Sequence, residues 1–254
     1  MFPKQERQRH IMRIVREQTL VKLNYLKTHF GVTPMTLWRD IEELSEQGLV
    51  KRLRGAVMRA EVANEPTFDA KLDAARSAKI LIARKAVAMF FKSGGSYSVE
   101  GGTTVTELAR IIGGKPATVL TNSISVVNEL RAPGHHPTVY CSGGMLRPES
   151  STLVGKEAIT FFSRCKVDVF FMSATGLDLE TGLSDPNPME IEVKQAMAYA
   201  ARSVVLLLDS GKIGQRSLMQ VLPLEKISAM VTEKAVPASY SARLGAAGVK
   251  IVLA

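Results

Sequence analysis

Thr33-Pro34-Met35-Thr36-Leu37-Trp38-Arg39-Asp40-Ile41 opens a helix and shows which way it faces. Threonine is a good N-cap, because its hydroxyl accepts from a free first-turn amide. Proline suits the first helical position, where its missing N–H costs nothing. Leu37, Ile41 and Leu44 then recur at i, i+4 and i+7 and form one apolar stripe. Upstream, residues 23–30 read as a short helix with Leu23, Leu26 and Phe30 inward, stopped by Gly31. Further upstream, residues 7–17 carry a stripe of His10, Ile11, Ile14 and Val15. Two helices joined by a tight, glycine-containing turn of about three residues form a helix-turn-helix pattern.

In that arrangement the start of the third helix enters the major groove of double-stranded DNA. Met35, Thr36, Trp38 and Arg39 lie on or near its outer face, with Thr33 at its mouth. Arginine pairs with guanine or phosphate, and threonine with either. Gly48 closes the helix. Residues 49–57 then alternate apolar and basic side chains and read as a hairpin wing, with Lys51, Arg52 and Arg54 as phosphate contacts. Asp40, Glu42 and Glu43 face phosphate badly, but beyond the first helical turn they are expected to face solvent. Residues 1–60 hold 12 Lys and Arg against 6 Asp and Glu, a net of +6, while the remainder carries only +3. A basic head on a nearly balanced body calls for a polyanionic partner. The competing reading of this region is a small helical bundle used for dimerisation.

Nearly half the residues are apolar, so the chain can build a real core. No apolar run is long enough to span a membrane, and the first residues carry no signal-peptide core, so a cytoplasmic protein is expected. Two cysteines, Cys141 and Cys165, give no disulfide framework and no four-ligand zinc site; they are expected to be buried thiols. His135-His136 sits in a Pro/Gly turn without a nearby partner, so no metal and no cofactor are expected.

Residues 61–73 are polar and read as a linker. Residues 74–91 then read as a helix with Ile80, Ala83, Val87 and Met89 on its apolar side and Lys79, Arg84 and Lys85 off it. From residue 96 short apolar strands alternate with helical stretches. That is a βα repeat, so the fold class is α/β: a winged helix-turn-helix at 1–60, then a Rossmann-like, mostly parallel sheet domain at 74–254. Ligands of such sheets sit outside the carboxyl ends of the strands. Five loops fall there: Glu100-Gly101-Gly102-Thr103-Thr104, Thr121-Asn122-Ser123, Ser142-Gly143-Gly144, Ser173-Ala174-Thr175-Gly176 and Asp209-Ser210-Gly211-Lys212. The glycines let backbone approach a ligand, a helix amino terminus points N–H groups at an anion, and Lys212 adds an ammonium. Neither a P-loop nor G-x-G-x-x-G occurs, so a small polyhydroxylated phosphate suits these loops better than a nucleotide.

Residues 33–44, followed by Gly48-Leu49-Val50-Lys51-Arg52, resemble the DNA-binding signature of the DeoR family of transcriptional regulators. The later motifs 100–104, 121–123, 142–144, 174–177, 182–183, 190–197 and 209–214 resemble the successive motifs of that family's sensor domain. The resemblance implies a fold shared with ribose-5-phosphate isomerase, a phosphorylated-sugar effector and control of a carbohydrate operon by repression. By position it implies that Gly102, Thr103 and Thr104 hold phosphate, and that Asn122, Gly143, Gly144, Glu190, Lys194 and Lys212 line the sugar site. Glu100, Gly101 and Thr175 complete the set. Several positions depart from the pattern: Trp38 replaces a first arginine, Lys22 a capping serine, Gly55-Ala56 a double glycine, Glu100 an aspartate and Gly211 a serine. A homodimer or homotetramer is expected, because one winged helix buries little interface on DNA.

Two other functions compete with this reading. One is an isomerase-like enzyme with Glu100, Glu190 or Asp209 as general base and Lys194 or Lys212 stabilising an enediolate. The other is an interaction module that binds neither DNA nor sugar.

Overall fold

In the computed structural model, residues 3–18, 20–47, 49–53, 55–59, 68–132, 134 and 136–254 are described. The chain divides into two compact units, Met1–Glu65 and Pro66–Ala254.

In the first unit, α1 (Lys4–Glu17) is followed by β1 (Leu20–Lys22), α2 (Leu23–Phe30), α3 (Pro34–Glu46), β2 (Val50–Leu53) and β3 (Ala56–Arg59). The three strands make an antiparallel sheet in the order β1-β3-β2, with Val21 opposite Val57 and Arg52 opposite Val57 on the other side. β1 escapes a reading of the sequence because three residues are too few to show a period. Ile11, Val15, Leu26, Leu37, Ile41 and Val57 are fully buried together. Gly31 adopts φ +60 at the end of α2, the left-handed conformation that a side chain would resist. Lys22 precedes α2 without any side-chain cap. Gly48, the expected end of α3, lies outside the described residues.

Asp40 corrects the expectation that the acids of α3 face water. It is 1% exposed and takes two hydrogen bonds from Arg7, Nε to Oδ2 at 2.5 Å and Nη2 to Oδ1 at 3.0 Å. Glu43, half-exposed, takes Lys4 at 2.5 Å and Gln8 at 2.9 Å. These acids therefore fasten α1 to α3.

The second unit opens with α4 (Phe68–Asp73), so the stretch expected to be linker is already helical there; residues 61–67 lie outside the described residues. Then come α5 (Arg76–Phe90), β4 (Ser96–Val99), α6 (Thr103–Ile112), β5 (Thr118–Thr121), α7 (Ile124–Leu130), β6 (Thr138–Cys141), β7 (Met145–Arg147), β8 (Thr152–Val154), α8 (Lys156–Ser163) and β9 (Val167–Met172). The chain continues through β10 (Gly176–Asp178), β11 (Gly182–Asp185), α9 (Pro188–Ala200), β12 (Ala201–Leu207), β13 (Met219–Gln220), β14 (Ala229–Thr232), α10 (Ala238–Ala246) and β15 (Lys250–Leu253). Seven strands pair in the order β15-β14-β12-β9-β4-β5-β6, and every pairing is parallel.

A parallel sheet covered on both faces needs apolar side chains on both, which explains runs such as Val204-Val205-Leu206-Leu207-Leu208. Phe170, Met172, Val204 and Leu206 pack with Phe162, Ile191 and Met197 from α8 and α9. Phe171, Val205 and Leu207 point the other way, into Ile82, Val105, Leu108 and Val126 from α5, α6 and α7. The face of α5 differs from the expected one. Lys79, Ile82, Ala83, Ala86 and Val87 are inward, whereas Met89 is 47% exposed. The buried Lys79 ammonium donates to the Lys71 carbonyl oxygen and so ties α4 to α5. Ala75, at φ +52, makes the corner between them. The cysteines are also less buried than expected. Cys141 is exposed on the edge strand β6, and Cys165 is half-buried with its thiol donating to the Phe161 carbonyl.

The chain lays down β4, β5 and β6 in one direction, then returns to place β9 on the other side of β4. The carboxyl ends of β4 and β9 therefore flank the switch point of the sheet, the position at which ligands of open α/β sheets bind.

Candidate functional site

Thr33 is the N-cap of α3. Its hydroxyl accepts from the Thr36 amide at 3.2 Å and lies 2.9 Å from the Thr36 hydroxyl. Two of its three hydrogen-bonding positions are thus engaged within the helix, and Thr36 is half-buried beside it. The outer face presents Met35 at 65% exposure, Trp38 at 40%, and Arg39. Arg52 of β2 reaches across to this helix. Its guanidinium carbon lies 4.3 Å from the Trp38 ring centroid, and Nη1 donates to Glu42 Oε1 at 3.1 Å. Trp38 and Glu42, one turn apart, thus hold a wing cation against the reading helix. Lys51 is exposed on β2. Arg54, expected as a third phosphate contact, lies outside the described residues.

At the switch point of the second unit, Glu100 follows β4 and is 3% exposed. Its Oε1 accepts from the Ser173 amide at 2.7 Å, at the end of β9, and its Oε2 lies 3.0 Å from Lys194 Nζ. Lys194, on α9, also donates to Asp185 Oδ2 at 2.6 Å and to the Ser173 carbonyl at 2.9 Å. Burial alone would lower the Lys194 amine, but Asp185, Glu100 and Glu190 more than offset it and hold it well above its ordinary value. Burial raises the Glu100 carboxyl, against the attraction of Lys194.

Glu190, in the first turn of α9, pairs with Arg147 at 2.7 Å and accepts from the Thr152 hydroxyl at 2.8 Å. Burial would raise its carboxyl, but Arg147 and Lys194 outweigh that and keep it below the ordinary range. Lys212 is half-buried, 3.4 Å from the Ser173 hydroxyl and 3.6 Å from Asp209. Burial pulls its amine below the usual lysine value, against the attraction of Asp209 and Asp185.

Gly102 precedes α6 and offers no side-chain cap, so the first amides of that ten-residue helix have no side-chain partner from it. A Cβ built at Gly102 would lie 2.5 Å from Glu100 Oε1 and 3.0 Å from Ser173 Cβ. At Gly101 a Cβ would run into Thr152. These two glycines make room for the protein's own side chains. Gly143 and Gly144 adopt φ +70 and +115, and Gly144 lies against the Val154 carbonyl. Thr103 and Thr104 are buried, and the Thr104 hydroxyl has no hydrogen-bond partner. Asn122 is buried with its amide donating to the Leu153 carbonyl at 3.1 Å, while its oxygen is unpartnered. Thr175 is exposed, and its amide is held by Asp185 at 2.7 Å.

Glu100, Gly102, Lys194 and Lys212 are thus gathered around Ser173, with Glu190 joined to Thr152 beside Gly101. Asp185, Arg147 and Thr152 join the site from outside the five rim loops, and Ser173, from one of those loops, is its centre. Arg147 follows Gly143-Gly144 by a few residues, the one signal that pointed to it.

Residues 74–234 match the family described as the DeoR C terminal sensor domain, and residues 7–62 match the DeoR-like helix-turn-helix domain. The chain belongs to the DeoR family. One relative of this DeoR-family regulator is the HTH-type transcriptional regulator GlpR of Haloferax volcanii. It is 34% identical over 250 residues, spanning 97% of this chain and 96% of that protein. Another is the glycerol-3-phosphate regulon repressor of Escherichia coli K12, 29% identical over 236 residues, with 91% and 92% coverage. These relatives are regulators of transcription, and the chain is one too. Ribose 5-phosphate isomerase A of Methanocaldococcus jannaschii aligns with 54% of this chain and 54% of its own at 16% identity and a TM-score of 0.39, a likeness too distant to bear on function. No helix among the described residues is long and apolar enough to cross a membrane.

Proposed function

We propose that this regulator is a repressor of carbohydrate genes, bound to double-stranded operator DNA through α3 and the wing and released by a phosphorylated sugar. Met35, Thr36, Trp38 and Arg39 face base edges, with Thr33 fixing the helix start, while Lys51, Arg52 and Arg54 hold phosphate. It acts in the cytoplasm as a homodimer or homotetramer, which sets two reading helices on two half-sites.

One observation carries the effector reading. An uncapped helix amino terminus and a half-buried ammonium, Lys212, meet on either side of Ser173 at the switch point of the sheet. Helix amides and an ammonium together favour a phosphate. Gly102, Thr103, Thr104 and Lys212 take that phosphate. Glu100, Gly101, Asn122, Gly143, Gly144, Thr175, Glu190 and Lys194 shape the sugar side.

Both oxygens of Glu100 are engaged, by Ser173 and Lys194, and Glu190 Oε1 takes both Arg147 and Thr152, which suits anchoring groups better than a general base. A thermal-shift screen against sugar phosphates, followed by DNA retardation with each hit, tests the proposal. Stabilisation by a phosphorylated sugar but not by the free sugar, with loss of retardation, is the expected result. Turnover of the sugar phosphate, or retardation that strengthens with it, overturns it.

A further inference from the structure

The surface that α3 turns outward is unusually apolar for a face meant for DNA. Met35 lies in the first turn and is 65% exposed; Trp38, one turn on, is 40% exposed. Neither belongs to the core of Leu37, Ile41 and Leu44; Met35 lies nearly opposite that stripe and Trp38 on its flank. Arg39 is the only cation on α3. Arg52 cannot serve freely as a base reader, because its guanidinium lies over the Trp38 ring and donates to Glu42. That clamp leaves Trp38 one covered face and a fixed orientation, so its remaining surface is offered rigidly.

In the major groove the apolar feature that distinguishes a base is the C5-methyl group of thymine. Residues in the first turns of a recognition helix approach base edges most closely. We propose that Met35 and Trp38 read thymine methyl groups, with Arg39 supplying the polar contact and Arg52, pinned by Trp38 and Glu42, held towards phosphate. This deepens the operator reading above and rests on it. The half-site therefore contains at least one thymine whose methyl, not its hydrogen-bonding pattern, is recognised. Met35 and Trp38 are specificity-determining residues.

The test begins with selection of binding sites from random duplex DNA by the full-length protein. Each thymine of the selected half-site is then replaced by uracil, which removes one methyl and keeps every hydrogen-bonding group. One or two such replacements are expected to weaken binding about 3–5-fold each, the share of one buried methyl. Each such replacement is expected to be silent in the variant, Met35→Ala or Trp38→Ala, that lacks the side chain reading that methyl. Both residues are exposed, and the uracil comparison within one protein does not depend on how well a variant folds. Selected sites at which every uracil replacement is silent for the wild type overturn the methyl reading and leave operator binding intact. Equal sensitivity to uracil in both variants also overturns it. Failure to select any site contradicts operator binding itself and the proposal with it.

Discussion

Asp40→Ala should unfold the DNA-binding unit and leave the sensor unit standing. Asp40 is 1% and Arg7 7% exposed, and two hydrogen bonds join them at 2.5 and 3.0 Å. Arginine does not shed its proton in a protein, so removing the carboxylate leaves a buried charge that cannot neutralise itself. Breaking one partner of such a pair costs about 3–5 kcal/mol. A unit of this length is stable by roughly 3–10 kcal/mol at ordinary per-residue values, so the loss takes from about a third of the total to all of it. Replacing both partners by apolar residues, Arg7→Met with Asp40→Leu, removes both buried charges together and should recover most of the loss. Urea unfolding followed by circular dichroism on the wild type, both single variants and the double variant completes the cycle. DNA retardation should vanish for Asp40→Ala and return for the double variant, while the thermal shift with an effector stays unchanged. A loss below about 1 kcal/mol for Asp40→Ala, in the range of an exposed pair, would refute the buried-pair argument.

Gly144→Ala should destabilise the sensor unit and weaken effector binding together, because φ is +115 and a Cβ would lie 2.6 Å from the Val154 carbonyl; calorimetry and ligand titration check both. Glu190 has its carboxyl held below the ordinary 4.5, so its contribution is present above that value and is lost as pH falls through the lowered one. Wild-type melting temperature should therefore fall more steeply on acidification than that of Glu190→Gln, and parallel profiles would contradict it. Arg39→Ala should cost about 1–3 kcal/mol of specific binding if its contact is a bidentate one to a base. A uniform loss across sequences would assign it to phosphate.

Much of this architecture was legible beforehand. Thr33-Pro34 and the stripe of Leu37, Ile41 and Leu44 mark α3 because cap and period are local. The parallel sheet was legible because short β-branched and apolar stretches, with continuous runs in β9, β12 and β14, alternate with helical ones. Three kinds of feature were not. The short strands β1, β7, β8, β10 and β13 have too few residues to show a period, and two of them, β7 and β8, deliver Arg147 and Thr152 to the site. Asp40 and Lys79 sit at polar positions of helices, and only tertiary partners, Arg7 and the Lys71 carbonyl, account for their burial. Gly101 and Gly102 have a second cause that no local motif encodes: the space a Cβ would take is filled by Thr152 at the first and by Glu100 and Ser173 at the second. The role of Ser173 as a hub follows from β9 returning beside β4, a long-range pairing that no local motif encodes.

Central to the proposed function is a phosphorylated small molecule that binds at the β4–β9 switch point and lowers affinity for DNA. The direct measurement is the Kd for a selected DNA site in rising concentrations of a sugar phosphate that stabilises the protein, for wild type and Lys212→Met. The wild-type Kd should rise at least about 10-fold, a coupling of about 1.4 kcal/mol. The free sugar should have no effect, and Lys212→Met should need far more sugar phosphate for the same change. An unchanged wild-type Kd, an equal response to the free sugar, or an undiminished response in Lys212→Met would contradict it.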